Sequence, residues 1–285
     1  MLRNTKEQVA LITGASSGIG LELTRKLLNE GWQVIALNRS AVPSGDMLLQ
    51  QAIHNGQFRI YTVGDLADYH SLRYALQKVR EKEPFIDVLF NNAGRSFPEL
   101  TYTPQGRETH YELMTVVPYI ITMDLKELLL KGNLKTVINT SSTALNMIKS
   151  FDLEQLQRPK KFRKLLGPYA ASKLGLSLWT EAVAPLLAKE GILIRSIDPG
   201  SNNTLRKGKK SGLPIWLEPI MRYFFAPPTH GASLLLEGAL GEHRGKTGVF
   251  VNKGKIQSLP FRALAQPVLE QVEQIYLEEF RKVHV

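Results

Sequence analysis

Tyr169 and Lys173 stand four residues apart in the run Tyr169-Ala170-Ala171-Ser172-Lys173. On a helix that spacing brings both side chains onto one face, a turn apart. An ammonium beside a phenol favours the phenolate and draws the phenol's pKa from about 10 towards neutrality. A phenol tuned in this way can pass a proton to or from a carbonyl oxygen while a hydride moves at carbon. Without other elements to place a reactant beside them, two such residues are only neighbours on a solvated helix. What surrounds them in the chain therefore decides their meaning.

Val9-Ala10-Leu11-Ile12 is a short apolar run suited to a buried parallel strand. It leads into Thr13-Gly14-Ala15-Ser16-Ser17-Gly18-Ile19-Gly20, and Leu21, Leu23, Leu27 and Leu28 then mark a helix. A glycine-rich turn between strand and helix lets backbone N–H groups approach a pyrophosphate at the positive helix terminus. No lysine closes this loop, which disfavours a nucleoside-triphosphate site. A second strand, Gln33 to Leu37, ends at Asn38-Arg39-Ser40, where a dinucleotide fold reads the adenosine ribose. An acid there would repel a 2′-phosphate. Neutral Asn38 followed by the planar fork of Arg39 instead favours NADP(H) over NAD(H).

Four more motifs follow in order: Asp65-Leu66, Asn91-Asn92-Ala93-Gly94, Ser141-Ser142 and, past a strand at Ile192 to Ile197, Pro199-Gly200 with Thr204 four residues beyond the glycine. With the glycine turn and the Tyr169/Lys173 pair, the chain resembles the short-chain dehydrogenase/reductase family of the classical type over most of its length. It is most similar to the retinol-dehydrogenase-like and protochlorophyllide-reductase-like members. The 26 residues between Ser142 and Tyr169, with an insert from Phe151-Asp152-Leu153-Glu154 onward, resemble the longer spacing of that subgroup.

The resemblance implies a role for each matching residue. Tyr169 would be the general acid/base, and Lys173 would lower its pKa and bond the nicotinamide ribose. Ser142, rather than its neighbour Ser141, would hold the substrate carbonyl. Gly14, Ser16, Ser17, Gly18, Ile19 and Gly20 would form the phosphate turn, and Asp65 with Leu66 would contact the adenine. Asn92, Ala93 and Gly94 would pack beside the adenosine half. Pro199, Gly200 and Thr204 would line the nicotinamide carboxamide.

One position departs from the family pattern. Met114 stands where an asparagine usually helps hold a water in a proton relay to the lysine. A thioether cannot donate a hydrogen bond and accepts one only weakly. Thr115 is next along the chain, but one helical step turns its side chain about 100° away.

Composition bounds the remaining possibilities. The chain has 285 residues, 43% hydrophobic and 22% charged, which suits one large α/β domain over 1–285. No linker or repeat divides it. The expected fold is a doubly wound Rossmann sheet of about seven parallel strands. Zero cysteines exclude disulfides and thiolate chemistry and suit a reducing cytoplasm. The six histidines are scattered, so no metal is expected. No GxSxG elbow marks a serine hydrolase. Met1 to Gln8 is polar and resembles no signal peptide, and no apolar run reaches the ~20 residues of a transmembrane helix.

Residues 201–230 contain Trp216, Met221, Tyr223, Phe224 and Phe225 and are expected to form a lid over an apolar substrate, or to pack a helix pair on the domain. The net charge of +10 is partly local, in Arg158, Lys160, Lys161, Arg163 and Lys164 and in Arg206, Lys207, Lys209 and Lys210. These clusters could steer an anionic cofactor or rest peripherally on a membrane surface. No motif points to nucleic acid. The tail 266–283 is expected to be an amphipathic helix that packs on the domain or pairs subunits into a homo-oligomer.

The sequence thus points to an NADP(H)-dependent oxidoreductase that interconverts a small-molecule carbonyl and alcohol, with an apolar substrate. A dinucleotide-binding sensor or scaffold with little catalysis is the alternative that Met114 raises. Action on nucleotide-sugars is disfavoured by the lack of a larger C-terminal region.

Overall fold

The computed structural model describes residues 8–203 and 223–282. Its elements in chain order are β1 (Val9–Thr13), α1 (Gly18–Asn29), β2 (Gln33–Asn38), α2 (Met47–His54), β3 (Phe58–Thr62), α3 (Tyr69–Lys82) and β4 (Val88–Asn91). There follow α4 (Thr109–Tyr111), a π-helical turn (Glu112–Val116), α5 (Val117–Asp124), α6 (Lys126–Lys131) and β5 (Thr136–Thr140). The rest comprises α7 (Leu153–Gln157), α8 (Pro168–Lys189), β6 (Leu193–Asp198), α9 (Pro228–Leu240), β7 (Val249–Asn252), β8 (Lys255–Gln257) and α10 (Ala265–Ile275), which runs into a second π-helical turn (Tyr276–Arg281).

The strands form one sheet in the order β3-β2-β1-β4-β5-β6-β7-β8. The first seven are parallel, and those inside the sheet are largely buried between helical layers, as a two-sided parallel sheet requires. The order reverses between β1 and β4. Crevices for ligands form outside the carboxyl ends of the strands at such a switch point. The eighth strand is antiparallel and exposed. It adds an edge to the seven strands expected from sequence because Lys253 and Gly254 both take positive φ, 50° and 71°, and fold the chain back as a tight hairpin.

Two apolar cores flank the sheet. One packs α1, α2 and α9 against it, through Leu23, Leu27, Ala52 and Leu235. The other gathers α3, α5, α8 and α10, with Trp179 and Tyr119 meeting edge to face at 5.4 Å. The C-terminal helix therefore spends its apolar face inside its own chain, through Val268, Leu269, Val272 and Ile275. Polar contacts fasten it too. Tyr111 donates to Gln271 at 2.8 Å, and Arg73 donates to the Glu279 and Phe280 carbonyls, each at 2.6 Å. No helix among the described residues is long and apolar enough to cross a membrane.

Burial separates the positions on this helix that matter from those that do not. Leu269→Ala, at 2% exposure, is expected to cost about 2–5 kcal/mol in urea unfolding through lost transfer energy and a residual cavity. Leu277→Ala, at 45% exposure, is expected to stay within about 0.5 kcal/mol. Equal costs would contradict the docking described.

Candidate active site

The glycine turn is built as its residue types demand. Gly14 and Gly18 hold φ of 71° and 57°, which side chains with a Cβ rarely adopt. A Cβ on Gly20 would overlap the Gly14 carbonyl and lie 2.5 Å from Asn92 Nδ2. Helix α1 starts at Gly18, so the turn holding Ser16 and Ser17 leads straight into its positive N-terminus. Asn38, buried at the end of β2, accepts from the Ala15 N–H at 2.7 Å and so fixes the turn from the neighbouring strand. Its Nδ2 is buried without a partner. Arg39 follows it and is exposed.

Thr13 joins the first motif to the third. Its hydroxyl accepts from the Asn92 and Ala93 N–H groups, both at 2.9 Å, and Asn92 Nδ2 donates to its carbonyl at 3.0 Å. Asn91 does different work. It donates to Asn139 at 2.9 Å, and Asn139 donates to Thr180 on α8 at 2.8 Å. This polar ladder ties β4 and β5 to the helix that carries the Tyr/Lys pair. Asp65 is exposed and caps the Ala67 N–H, while Leu66 is buried.

Tyr169 and Lys173 lie in the first two turns of α8. Pro168 sits at its first position, where a missing N–H costs nothing. Ser142 shares a hydrogen bond with the Tyr169 phenol, and its Oγ accepts from the Ala144 N–H at 3.2 Å. Ser141 is buried and bonded to Ser177 at 2.7 Å, so its hydroxyl is committed to packing. Lys173 is 5% exposed and donates to the Thr140 carbonyl at 2.6 Å. Ser142, Tyr169 and Lys173 thus meet past the end of β5.

The electrostatics differ from the expectation of a lowered phenol. Burial pushes the Tyr169 phenol up, the Ser142 hydrogen bond pulls it down, and the Asp198 carboxylate pushes it up again. Desolvation also penalises the Lys173 ammonium and brings it down to about 8. Burial is the largest influence on both groups, since each is withdrawn from water.

Met114 is buried in the π-helical turn. A Cβ on Gly94 would lie 2.7 Å from its sulfur and 3.7 Å from Lys173 Nζ, so the thioether fills the space between the Asn-Asn-Ala-Gly segment and the lysine. Thr115 does not replace it. Its hydroxyl donates to the Ser172 carbonyl, and its own carbonyl accepts from Trp179 Nε1.

On the other side of the phenol lies an aromatic cluster that the sequence did not single out. The His110 ring meets Tyr169 at 6.1 Å and Phe97 at 4.8 Å edge to face, and Phe162 lies tilted against it at 6.4 Å. Glu108 bonds His110 Nδ1 at 2.6 Å and accepts from the Tyr111 N–H, while His110 Nε2 accepts from the Phe97 N–H at 2.9 Å. Buried Arg107 pairs with buried Glu112 at 2.5 Å and reaches Glu279, bracing the π-helical turn against the C-terminal segment. The only hint in sequence is the crowding of ionisable residues at 107–112.

Pro199 and Gly200 follow β6, and Asn202 holds their turn by donating to both carbonyls, at 2.7 and 2.9 Å, and accepting from the Gly231 N–H. Thr204, the basic residues 206–210 and most of the expected lid lie outside the described residues. Of that segment, Tyr223 and Phe224 are exposed, at 79% and 82%.

Residues 8–151 match the family profile described as short chain dehydrogenase. The chain belongs to the short chain dehydrogenase family. Human retinol dehydrogenase 11 is 28% identical over 238 residues, covering 82% of this chain and 73% of the relative. Bovine (Bos taurus) retinol dehydrogenase 12 is 30% identical over 239 residues, covering 82% and 74%. NADPH-bound carbonyl reductase from chicken fatty liver shares the fold, with a TM-score of 0.65 at 22% identity over 89% of this chain and 99% of that one. The glycine turn and the fourth-strand asparagines of this short chain dehydrogenase fall inside the profile, whereas Tyr169 and Lys173 lie beyond it.

The burial of Lys173 has a consequence for stability. Its folded pKa of about 8 lies below the ordinary 10.5, so the unfolded chain binds this proton more tightly. The resulting cost is full below pH 8 and disappears as pH rises to 10.5. Lys173→Met is therefore expected to be more stable than the parent at pH 7, by about 1–3 kcal/mol, and to lose that advantage by pH 10.5. Urea titrations of both proteins at the two pH values measure it. A difference independent of pH would contradict a desolvated ammonium.

Proposed function

We propose that this short chain dehydrogenase is an NADP(H)-dependent oxidoreductase that interconverts a ketone or aldehyde with its alcohol on an apolar substrate. The observation that carries the proposal is the convergence of the Ser142 hydroxyl, the Tyr169 phenol and the buried Lys173 ammonium beside the sheet's switch point. The residues present fit a dinucleotide. A two-glycine turn with positive φ opens α1, the unpartnered Asn38 Nδ2 stands at the end of β2, and exposed Arg39 offers a cationic fork for a 2′-phosphate. When bound, such a cofactor supplies or accepts the hydride at the substrate carbon.

The chain's own residues handle the oxygen. Ser142 and Tyr169 bond the substrate oxygen, and in reduction Tyr169 gives it a proton as carbon gains hydride. In oxidation the same phenolate takes that proton back. Positive Lys173 stabilises the phenolate, and Thr140 keeps the ammonium in place. Phe97, Phe162 and His110 offer an apolar wall on the phenol's other side, and the relatives named for retinol agree with an apolar substrate. Met114 beside Lys173 favours one second reading, in which the same site binds NADP(H) with little turnover.

Purified protein with NADPH and a panel of apolar aldehydes and ketones is expected to oxidise NADPH. Tyr169→Phe is expected to lose at least about 100-fold in kcat with cofactor affinity nearly intact. Undiminished turnover in the variant would overturn the assignment of Tyr169. NADPH binding without turnover across the panel would favour the second reading.

Arg39→Asp is expected to weaken NADPH binding by about 10- to 100-fold and NADH binding far less, read by fluorescence titration of each. An unchanged preference would remove Arg39 from cofactor selection.

A further inference from the structure

We infer that Glu108 and His110 form a positioning pair that selects which substrates reach Tyr169, by holding Phe97 and Phe162 beside the phenol. The inference rests on the oxidoreductase reading above and names the residues that set its preference for apolar substrates. Both side chains are buried, and both ring nitrogens of His110 are taken. Nε2 accepts from the Phe97 N–H at 2.9 Å, so the ring proton sits on Nδ1, which donates to Glu108 at 2.6 Å. The second Glu108 oxygen accepts from the Tyr111 N–H at 2.9 Å. No nitrogen of His110 is left to meet a substrate. Its work beside Tyr169 is to place other groups.

What it places comes from three separate stretches of chain. The imidazole touches one aromatic ring of each: Phe97 after β4, Phe162 in the insert before α8, and Tyr169 on α8 itself. The backbone repeats the tie. The Glu108 N–H donates to the Gln157 carbonyl at the end of α7, at 2.8 Å, and the Thr109 N–H donates to the Thr101 carbonyl at 3.0 Å. The Thr101 and Thr109 hydroxyls bond at 2.8 Å. The loop after β4 and the insert are thus fastened to one short segment, residues 108–110, that sits against the phenol. Phe97 and Phe162 are only half-buried, whereas the imidazole they pack on is closed off from solvent. An apolar chain running from a carbonyl at Tyr169 can lie along these rings, and a short aldehyde such as propanal spans too little to use them. Selection then follows from where the rings are held.

The test compares wild type with His110→Phe, which keeps an aromatic ring and removes the acceptor of the Phe97 N–H. Amide hydrogen exchange of the peptide carrying Phe97, read by mass spectrometry without cofactor, is expected to quicken at least about 10-fold. With NADPH, the kcat/KM ratio of decanal to propanal is expected to fall at least about 10-fold, mostly through the KM for decanal. A merely structural role would lower both aldehydes alike. An unmoved ratio, or exchange that stays as in wild type, would overturn the inference. Should His110→Phe not fold, Phe97→Ala leaves the pair in place and removes the ring it holds, and the same fall in the ratio is expected. Wild-type protein that turns over neither aldehyde would count against the oxidoreductase reading, while the exchange measurement decides separately whether the pair holds Phe97.

Discussion

A lysine ammonium withdrawn from water is the constraint around which this molecule is arranged. Lys173 donates to the Thr140 carbonyl at 2.6 Å, and burial lowers its proton affinity. Such a group costs stability unless its surroundings hold it in place, and the elements nearby do so by polar contacts rather than by apolar packing alone. Asn91, Asn139 and Thr180 link β4 and β5 to α8, and Ser141 with Ser177 closes the same seam further along. These contacts hold α8, the helix that carries Tyr169 and Lys173, against β4 and β5.

The sheet explains why these side chains meet at all. In a parallel sheet the turns after successive strands lie at one end, so motifs dozens of residues apart in the chain converge there. The Thr13 hydroxyl receives two N–H groups from the turn after β4, and Asn202 locks the turn after β6 to the start of α9. Each clamp uses a short polar side chain on backbone groups that the strand ends would otherwise leave unpaired. The docked C-terminal helix adds the outermost layer and braces the π-helical turn through Arg107 and Glu112.

Much of this was legible in the sequence, for physical reasons. Apolar runs bounded by glycine turns marked the parallel strands, and the six motifs fell in order along them. The apolar spacing at Val268, Leu269, Val272 and Ile275 marked the terminal helix, although not whether its partner lay in the same chain. Three things lay beyond reach. The edge strand depends on the positive φ of Lys253, a residue type that gives no such signal. The Glu108–His110–Phe97 contacts and the Arg107 pair join residues whose burial no period announces. The proton affinities also escaped, because spacing shows a cation next to a phenol and not how little water either one keeps.

Met114 sharpens the chemical question. With its thioether packed at Gly94 near Lys173, Met114 offers no hydrogen-bond donor to the Ser142, Tyr169 and Lys173 groups. If those groups serve a carbonyl–alcohol reaction, the hydrogen on the carbinol carbon never meets water, and only the hydroxyl proton passes through Tyr169. The most direct measurement is turnover of an apolar secondary alcohol labelled with deuterium at that carbon, with the label followed by nuclear magnetic resonance. The account predicts all of the deuterium on the nicotinamide ring of the reduced cofactor. Deuterium released into water would contradict it.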